Sequence, residues 1–130
     1  MNKNKFDANA FYERLYEFAK RCQGLTEELP KTRSNFEYLG QLYRSSGSMG
    51  SNYIEALEAT SKKDFIYRLK ICRKETRESV HWLRLLDEAN HLEENTKCKV
   101  KNLINEGREL MKIFTSSILT SEGKKKLENR

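Results

Sequence analysis

Along the first thirty residues, Ala8, Phe11, Leu15, Phe18, Cys22 and Leu25 recur at alternating steps of three and four, with polar residues between them. That rhythm gathers them on one face of a helix, which Tyr12 and Tyr16 widen. The spacing predicts a helix over about 7–27. It stops before Pro30, because proline disfavours helical backbone in the residue that precedes it. Ser34 followed by Glu37 has the spacing of a capping box. From there Phe36, Leu39, Tyr43, Ser46, Gly50, Tyr53 and Leu57 hold a heptad-like rhythm. The stretch SSGSMGS over 45–51 has the composition of a linker, and each glycine costs a helix about 1 kcal/mol relative to alanine. A linker has no reason to keep helical phase, whereas Tyr43 and Tyr53 stay in register across this one. The expectation is one unbroken helix over 34–60.

Ser61 with Asp64 repeats the capping signal, so the next link is very short. Phe65, Leu69, Cys72, Thr76, Val80, Leu83 and Leu86 then form the apolar stripe of a third helix over 62–90. A polar turn follows. Val100, Leu103, Ile104, Gly107, Leu110, Met111, Phe114 and Ile118 carry a fourth helix over 95–120, ahead of a basic tail at 121–130. Four amphipathic helices with short links pack most simply as an all-α, antiparallel up-down-up-down bundle, here one domain over 1–130. A helix of about 27 residues is roughly 40 Å long, so such a bundle is a slim rod with much surface. The composition agrees, with 37% hydrophobic and 34% charged residues in a chain of 130. Six glycines and one proline are too few for the turns of a β-sandwich.

Charge adds a direction. The formal net charge is +6. Up to Thr60 the chain carries 8 basic and 8 acidic residues, and beyond it 17 and 11, so the excess lies wholly in the second half. On the third helix Lys63, Tyr67, Lys70, Lys74, Arg77, His81 and Arg84 recur at steps of four and three, nearly opposite the apolar stripe. This is a basic ribbon with one aromatic, suited to following phosphates. An ordinary solvated face is the alternative, but such a face normally carries neutralising acids, and this stripe meets none before Glu88. Beside it Ile71, Glu78 and Trp82 point sideways from the core. They either close the bundle edge or anchor a subunit contact, where large aromatics are favoured. Tyr12, Tyr16 and Tyr38 on the bundle flanks also suit self-association.

Catalytic patterns are weak. Glu78 with His81 and Glu88 with His91 both spell the E-x-x-H of di-iron bundles, but such a site needs its two pairs on different, facing helices. Here they lie on or just beyond one helix, so the histidines read as solvent-facing or interface residues. Gly47 and Gly50 lack the Lys-Ser/Thr of a phosphate loop. Cys22 and Cys72 fall on core stripes, where a thiol behaves as a small hydrophobe. No catalytic residue, metal or cofactor is expected. Three scattered cysteines, no secretory signal at the N-terminus and no long apolar run point to a reduced, cytoplasmic protein without a membrane span.

The segments Leu29-Pro30, Arg44-Ser45-Ser46-Gly47-Ser48-Met49-Gly50-Ser51-Asn52-Tyr53-Ile54-Glu55-Ala56, Asp64-Phe65-Ile66 and Lys74-Glu75-Thr76-Arg77-Glu78-Ser79-Val80-His81-Trp82-Leu83 together resemble a known family. It is that of the bacterial four-helix bundle proteins encoded in intervening sequences of large-subunit ribosomal RNA genes. The last segment matches the family's KE-x-RES-x-x-WL pattern. After Asn52 the chain departs from it, with Tyr53-Ile54-Glu55-Ala56 where Ala-Glu-Gly is frequent. The resemblance implies an up-and-down bundle assembled as a ring-shaped homopentamer, with no established enzymatic activity. It also implies helix or subunit contacts for Arg44, Asn52, Glu78 and Trp82. A similar branch, the accessory proteins of diversity-generating retroelements, binds a reverse transcriptase and nucleic acid through a basic ring surface. Two readings follow: an oligomeric bundle that binds RNA through its third helix, or a protein-interaction scaffold whose basic face meets an acidic protein partner.

Overall fold

The computed structural model describes residues 6–123. Four helices make up the fold: α1 (Ala8–Gly24), α2 (Arg33–Leu57), α3 (Lys62–Glu88) and α4 (Glu94–Ser121). One turn of 3-10 helix, Leu25–Glu27, tightens the end of α1. Three of the four N-termini are capped by side chains that satisfy otherwise unpaired backbone N–H groups. Asp7 accepts from the amides of Asn9 and Ala10, Thr32 from that of Asn35, and Ser61 from that of Asp64.

The cross-links between helices give the topology. Phe11 meets Phe114, Arg14 grips Glu106 in a two-pronged pair at 2.7 and 2.8 Å, and Lys99 reaches Glu28 at 2.9 Å. Positions rise along α1 as they fall along α4, so the two are antiparallel. Asn35 bonds Asn90, Ser45 bonds Ser79, and Cys72 reaches the Met49 carbonyl, so α2 and α3 run opposite ways as well. Lys101 on α4 pairs with the buried Asp87 of α3 at 2.9 Å, while Arg73 bonds Thr115. Each helix packs on its sequence neighbour and α1 closes against α4. The result is an all-α up-down-up-down bundle around Leu15, Phe18, Leu42, Met49, Leu69, Leu83, Leu103, Leu110 and Phe114.

Helix α2 runs unbroken through SSGSMGS. Buried Ser45 and Ser46 explain why small residues sit there, since they let α2 lie close to its neighbours. The Ser45 hydroxyl meets that of Ser79 at 2.8 Å, and Ser79 also donates to the Glu75 carbonyl. Gly107 does the same for α4. A methyl placed on it would stand 2.6 Å from Val80 Cγ2, with the Phe18 ring at 3.6 Å.

The start and the buried face of α2 differ from the sequence reading. Thr32 rather than Ser34 is the cap, so the Ser34–Glu37 capping box does not form, and the helix ends at Leu57 rather than near Thr60. Phe36 is 75% exposed, Tyr43 and Leu57 are exposed, and the buried positions are Asn35, Leu39, Leu42, Ser45, Ser46, Met49, Tyr53 and Ala56. The inward face is thus turned roughly 70° from the expected stripe at about 100° per residue. Bonds from Asn35 to Asn90, just past the end of α3, and from Ser45 to Ser79 within it decide this, and hydrophobicity alone weights Phe36 and Tyr43 too heavily. The stripes of α1, α3 and α4 are largely buried as the spacing predicts, with Ala8, Phe65 and Met111 half-buried at the edge. The Lys124-Lys125-Lys126 part of the basic tail lies outside the described residues.

Gly107→Ala should destabilise the fold. Helix propensity would return about 1 kcal/mol, but overpacking against Val80 typically costs about 1–3 kcal/mol. Urea denaturation should show a lower midpoint at unchanged slope, and a higher midpoint would contradict the close α3–α4 approach.

Candidate nucleic-acid interface

Helix α3 is gripped on two sides. Ser79, Cys72 and Arg68 look toward α2, the last through Glu55 at 4.0 Å, while Val80, Arg73 and Asp87 look toward α4. What remains outward is the stripe of Lys63, Tyr67, Lys70, Lys74, Arg77, His81 and Arg84, and all seven side chains are exposed. The stripe spans 21 residue steps, roughly 30 Å along the helix axis.

Acids reach this stripe both from α4 and from within α3 itself. Glu122, at the end of α4, pairs with Lys70 at 3.4 Å. Lys74 lies 3.9 Å from Glu75, and Arg84 lies 3.7 Å from Glu88. Such exposed pairs contribute about 0–1 kcal/mol each and are readily exchanged for another anion. Among the described residues Lys63 and Arg77 have no ion-pair partner. Between α3 and α4 a shallow groove of about 330 Å³ is lined by Lys70, Arg73, Lys74, Arg77, Met111 and Thr115. Arg73 and Thr115 contribute to this concave edge, and neither belongs to the stripe read from the sequence. Arg73 was missed because it faces α4 and breaks the four-three rhythm.

The other singled-out residues fall on two separate flanks. Ile71, Glu78 and Trp82 line the α2 side of α3, where Trp82 stacks on Tyr38 at 6.0 Å and meets the edge of His81 at 4.7 Å. Tyr38, a flank position in the sequence, is half-buried by that stacking. The Trp82 indole N–H is buried without a hydrogen-bond partner among the described residues. Burial pushes the Glu75 carboxyl up, and Glu78 adds to it, against the opposing charges of Lys74 and Arg44. Tyr12 and Tyr16 lie far from this flank, in a groove of about 570 Å³ between α1 and α2 that also includes Tyr43, Gly47, Gly50 and Ile54. Tyr12 is half-buried there, its ring 3.6 Å from the place a Gly50 methyl would take.

Glu88 is the last residue of α3 and His91 lies beyond it, so the second E-x-x-H pair does not share a helical face. Among the described residues no group of three or more His, Cys, Asp or Glu side chains could hold a metal ion. No described helix is long and apolar enough to cross a membrane.

The chain matches the family described as 23S rRNA-intervening sequence protein over residues 8–115, from the start of α1 to the last turns of α4. It belongs to that family. A solved structure agrees: a protein of unknown function from the S23 ribosomal protein family of Bacteroides thetaiotaomicron VPI-5482 is 32% identical, with a TM-score of 0.71. The likeness covers 82% of this chain and 96% of that one. No curated protein matches the chain. The segments that carried the resemblance lie mainly along α2 and α3. Arg44 bonds Gln41 and Asn52 bonds the Ser48 carbonyl, both within α2, while Trp82 stacks on Tyr38 between α3 and α2, so none of these residues belongs to the basic stripe.

The thiols separate by environment. Cys22 and Cys72 are buried, and burial pushes each up to about 12, whereas Cys98 is exposed. A thiol raised so far carries almost no nucleophilic thiolate near neutral pH. Iodoacetamide at pH 8 should therefore add one group to the native protein, at Cys98, and two more only after unfolding. Mass spectrometry reads this directly, and early labelling of Cys22 would contradict the packed core.

Proposed function

We propose that this protein is a non-catalytic, oligomeric four-helix bundle of the cytoplasm that binds RNA along the outer face of α3. The observation that carries the reading is the exposed stripe from Lys63 to Arg84, cationic at five of its seven positions and held straight by one helix. A rigid line of charge favours a polyanion because each phosphate contact releases condensed counterions. RNA is the polyanion of the reading because the family's genes lie within ribosomal RNA intervening sequences, whose transcripts are made beside the protein's own message. In a gel-shift series, log affinity should fall linearly with log salt. Alanine at Lys70, Lys74 and Arg77 together should flatten the slope by about 0.7 per lost contact on a single strand. An unchanged slope would reject this reading in favour of a scaffold whose basic face meets an acidic protein.

Self-association is supported by the two flanks. Tyr16, Tyr43 and Ile54 are exposed beside Gly47, and a methyl on Gly40 or Gly47 would touch nothing within 4 Å in its own chain. Helix-interior glycines that the subunit's own packing does not require suit the close approach of another backbone. Patches on different flanks, Tyr12 and Tyr16 on one and Ile71, Glu78 and Trp82 on the other, suit a head-to-tail contact that can close into a ring. Light scattering should give a mass well above the 15.4 kDa of one chain. Ile54→Glu should lower that mass while circular dichroism keeps its helical signal. A wild-type monomer at micromolar concentration would rule the assembly out.

A further inference from the structure

We infer that the Lys63 end of the stripe holds one unstacked base of a single-stranded RNA against the ring of Tyr67. The inference rests on the reading of the stripe as a phosphate track and adds the form of RNA that the track accepts. Tyr67 is the stripe's one aromatic, is 58% exposed, and lies on the face opposite the core, outside the packed interior of its own chain. It lines a groove of about 480 Å³ with Lys62, Lys63, Ile66, Lys70 and Glu122. Ile66 supplies an apolar wall and three ammonium groups surround it, so the groove combines a stacking surface with charges for the flanking phosphates.

The ring is braced before any ligand arrives. The guanidinium of Arg68 lies 5.7 Å from the Tyr67 ring centroid. Arg68 lies between two carboxylates, 3.9 Å from Asp64 and 4.0 Å from Glu55, too far for hydrogen bonds but close enough to favour its position. A held ring loses less freedom when a base stacks on it, which favours binding.

Spacing points the same way. Side chains at steps of three and four advance roughly 5 Å along a helix axis. A straight stripe of cations can follow a strand that runs straight beside it, whereas each strand of a duplex winds away around its axis. An extended strand has its bases splayed, and a splayed base can reach Tyr67, whereas a paired base in a duplex cannot.

The test uses the full chain and fluorescently labelled oligoadenylate of about 12 nucleotides, alone and annealed to its complement. Tyr67→Ala should weaken single-strand binding by on the order of tenfold, leave the salt slope unchanged and barely affect the duplex. Tyr67→Phe should bind as the wild type does, because it keeps the ring. Equal binding by Tyr67→Ala and wild type, or an equal loss on the duplex, would overturn the inference. If the Lys70, Lys74 and Arg77 variant still flattens the slope, that result would leave the phosphate track standing. Absence of binding to either RNA would remove both.

Discussion

The seam between α2 and α3 is the contact on which the other features depend. It is pinned at successive heights by buried or half-buried polar groups. Asn35 and Asn90 exchange amide hydrogen bonds at 2.9 Å in both directions, the Ser45 and Ser79 hydroxyls meet midway, and the Cys72 thiol donates to the Met49 carbonyl further along. Hydrophobic contacts tolerate sliding, because one apolar neighbour is nearly as good as the next. Buried polar groups do not, since a slip of one turn would strand several donors and acceptors at about 1–3 kcal/mol each. The seam therefore fixes both the register and the rotation of α3.

That rotation determines what solvent meets. With Ser79 and Cys72 turned toward α2 and with Val80 and Asp87 turned toward α4, the remaining arc of α3 can only face outward. The same lysines and arginines on a helix rotated by a quarter turn would be partly consumed in contacts with the neighbouring helices. Arg68 and Arg73 are the examples at hand, since they lie at the two margins of the arc and are drawn toward Glu55 and Thr115. The charge available to a partner is thus smaller than the basic count of the helix, and it is more ordered.

The outward residues of α2 have a different character. Phe36, Tyr43, Ile54 and Leu57 are exposed on the side away from α3, and the tilt of the inward face toward α3 is what leaves them there. Tyr43 is partly engaged by the Thr26 hydroxyl, while Ile54 borders the groove that holds Tyr12 and Tyr16. An aqueous monomer gains nothing from such a display, which is why the polar pinning of the seam and the proposed assembly belong to one account. Charge on α3 and apolar surface on α1 and α2 would then serve separate partners without competing for the same face.

Local pattern by itself determined the four helices, their order, the cap at Ser61, and the buried stripes of α1, α3 and α4. These depend on periodicity and on short-range hydrogen bonds, which a linear sequence displays. It also determined that α2 is continuous, since helical phase survives SSGSMGS, and that seven residues of α3 share one line. Only the tertiary structure decided which side of α2 turns inward, because that choice depends on Asn90 and Ser79, partners 55 and 34 positions away. For the same reason it alone placed Glu122 beside Lys70, put Arg73 in the α3–α4 groove, and separated Tyr12 and Tyr16 from Trp82. Hydrophobicity along one helix says which residues prefer burial, but the neighbouring helix sets where the burial is, and its contribution is invisible until the two are packed.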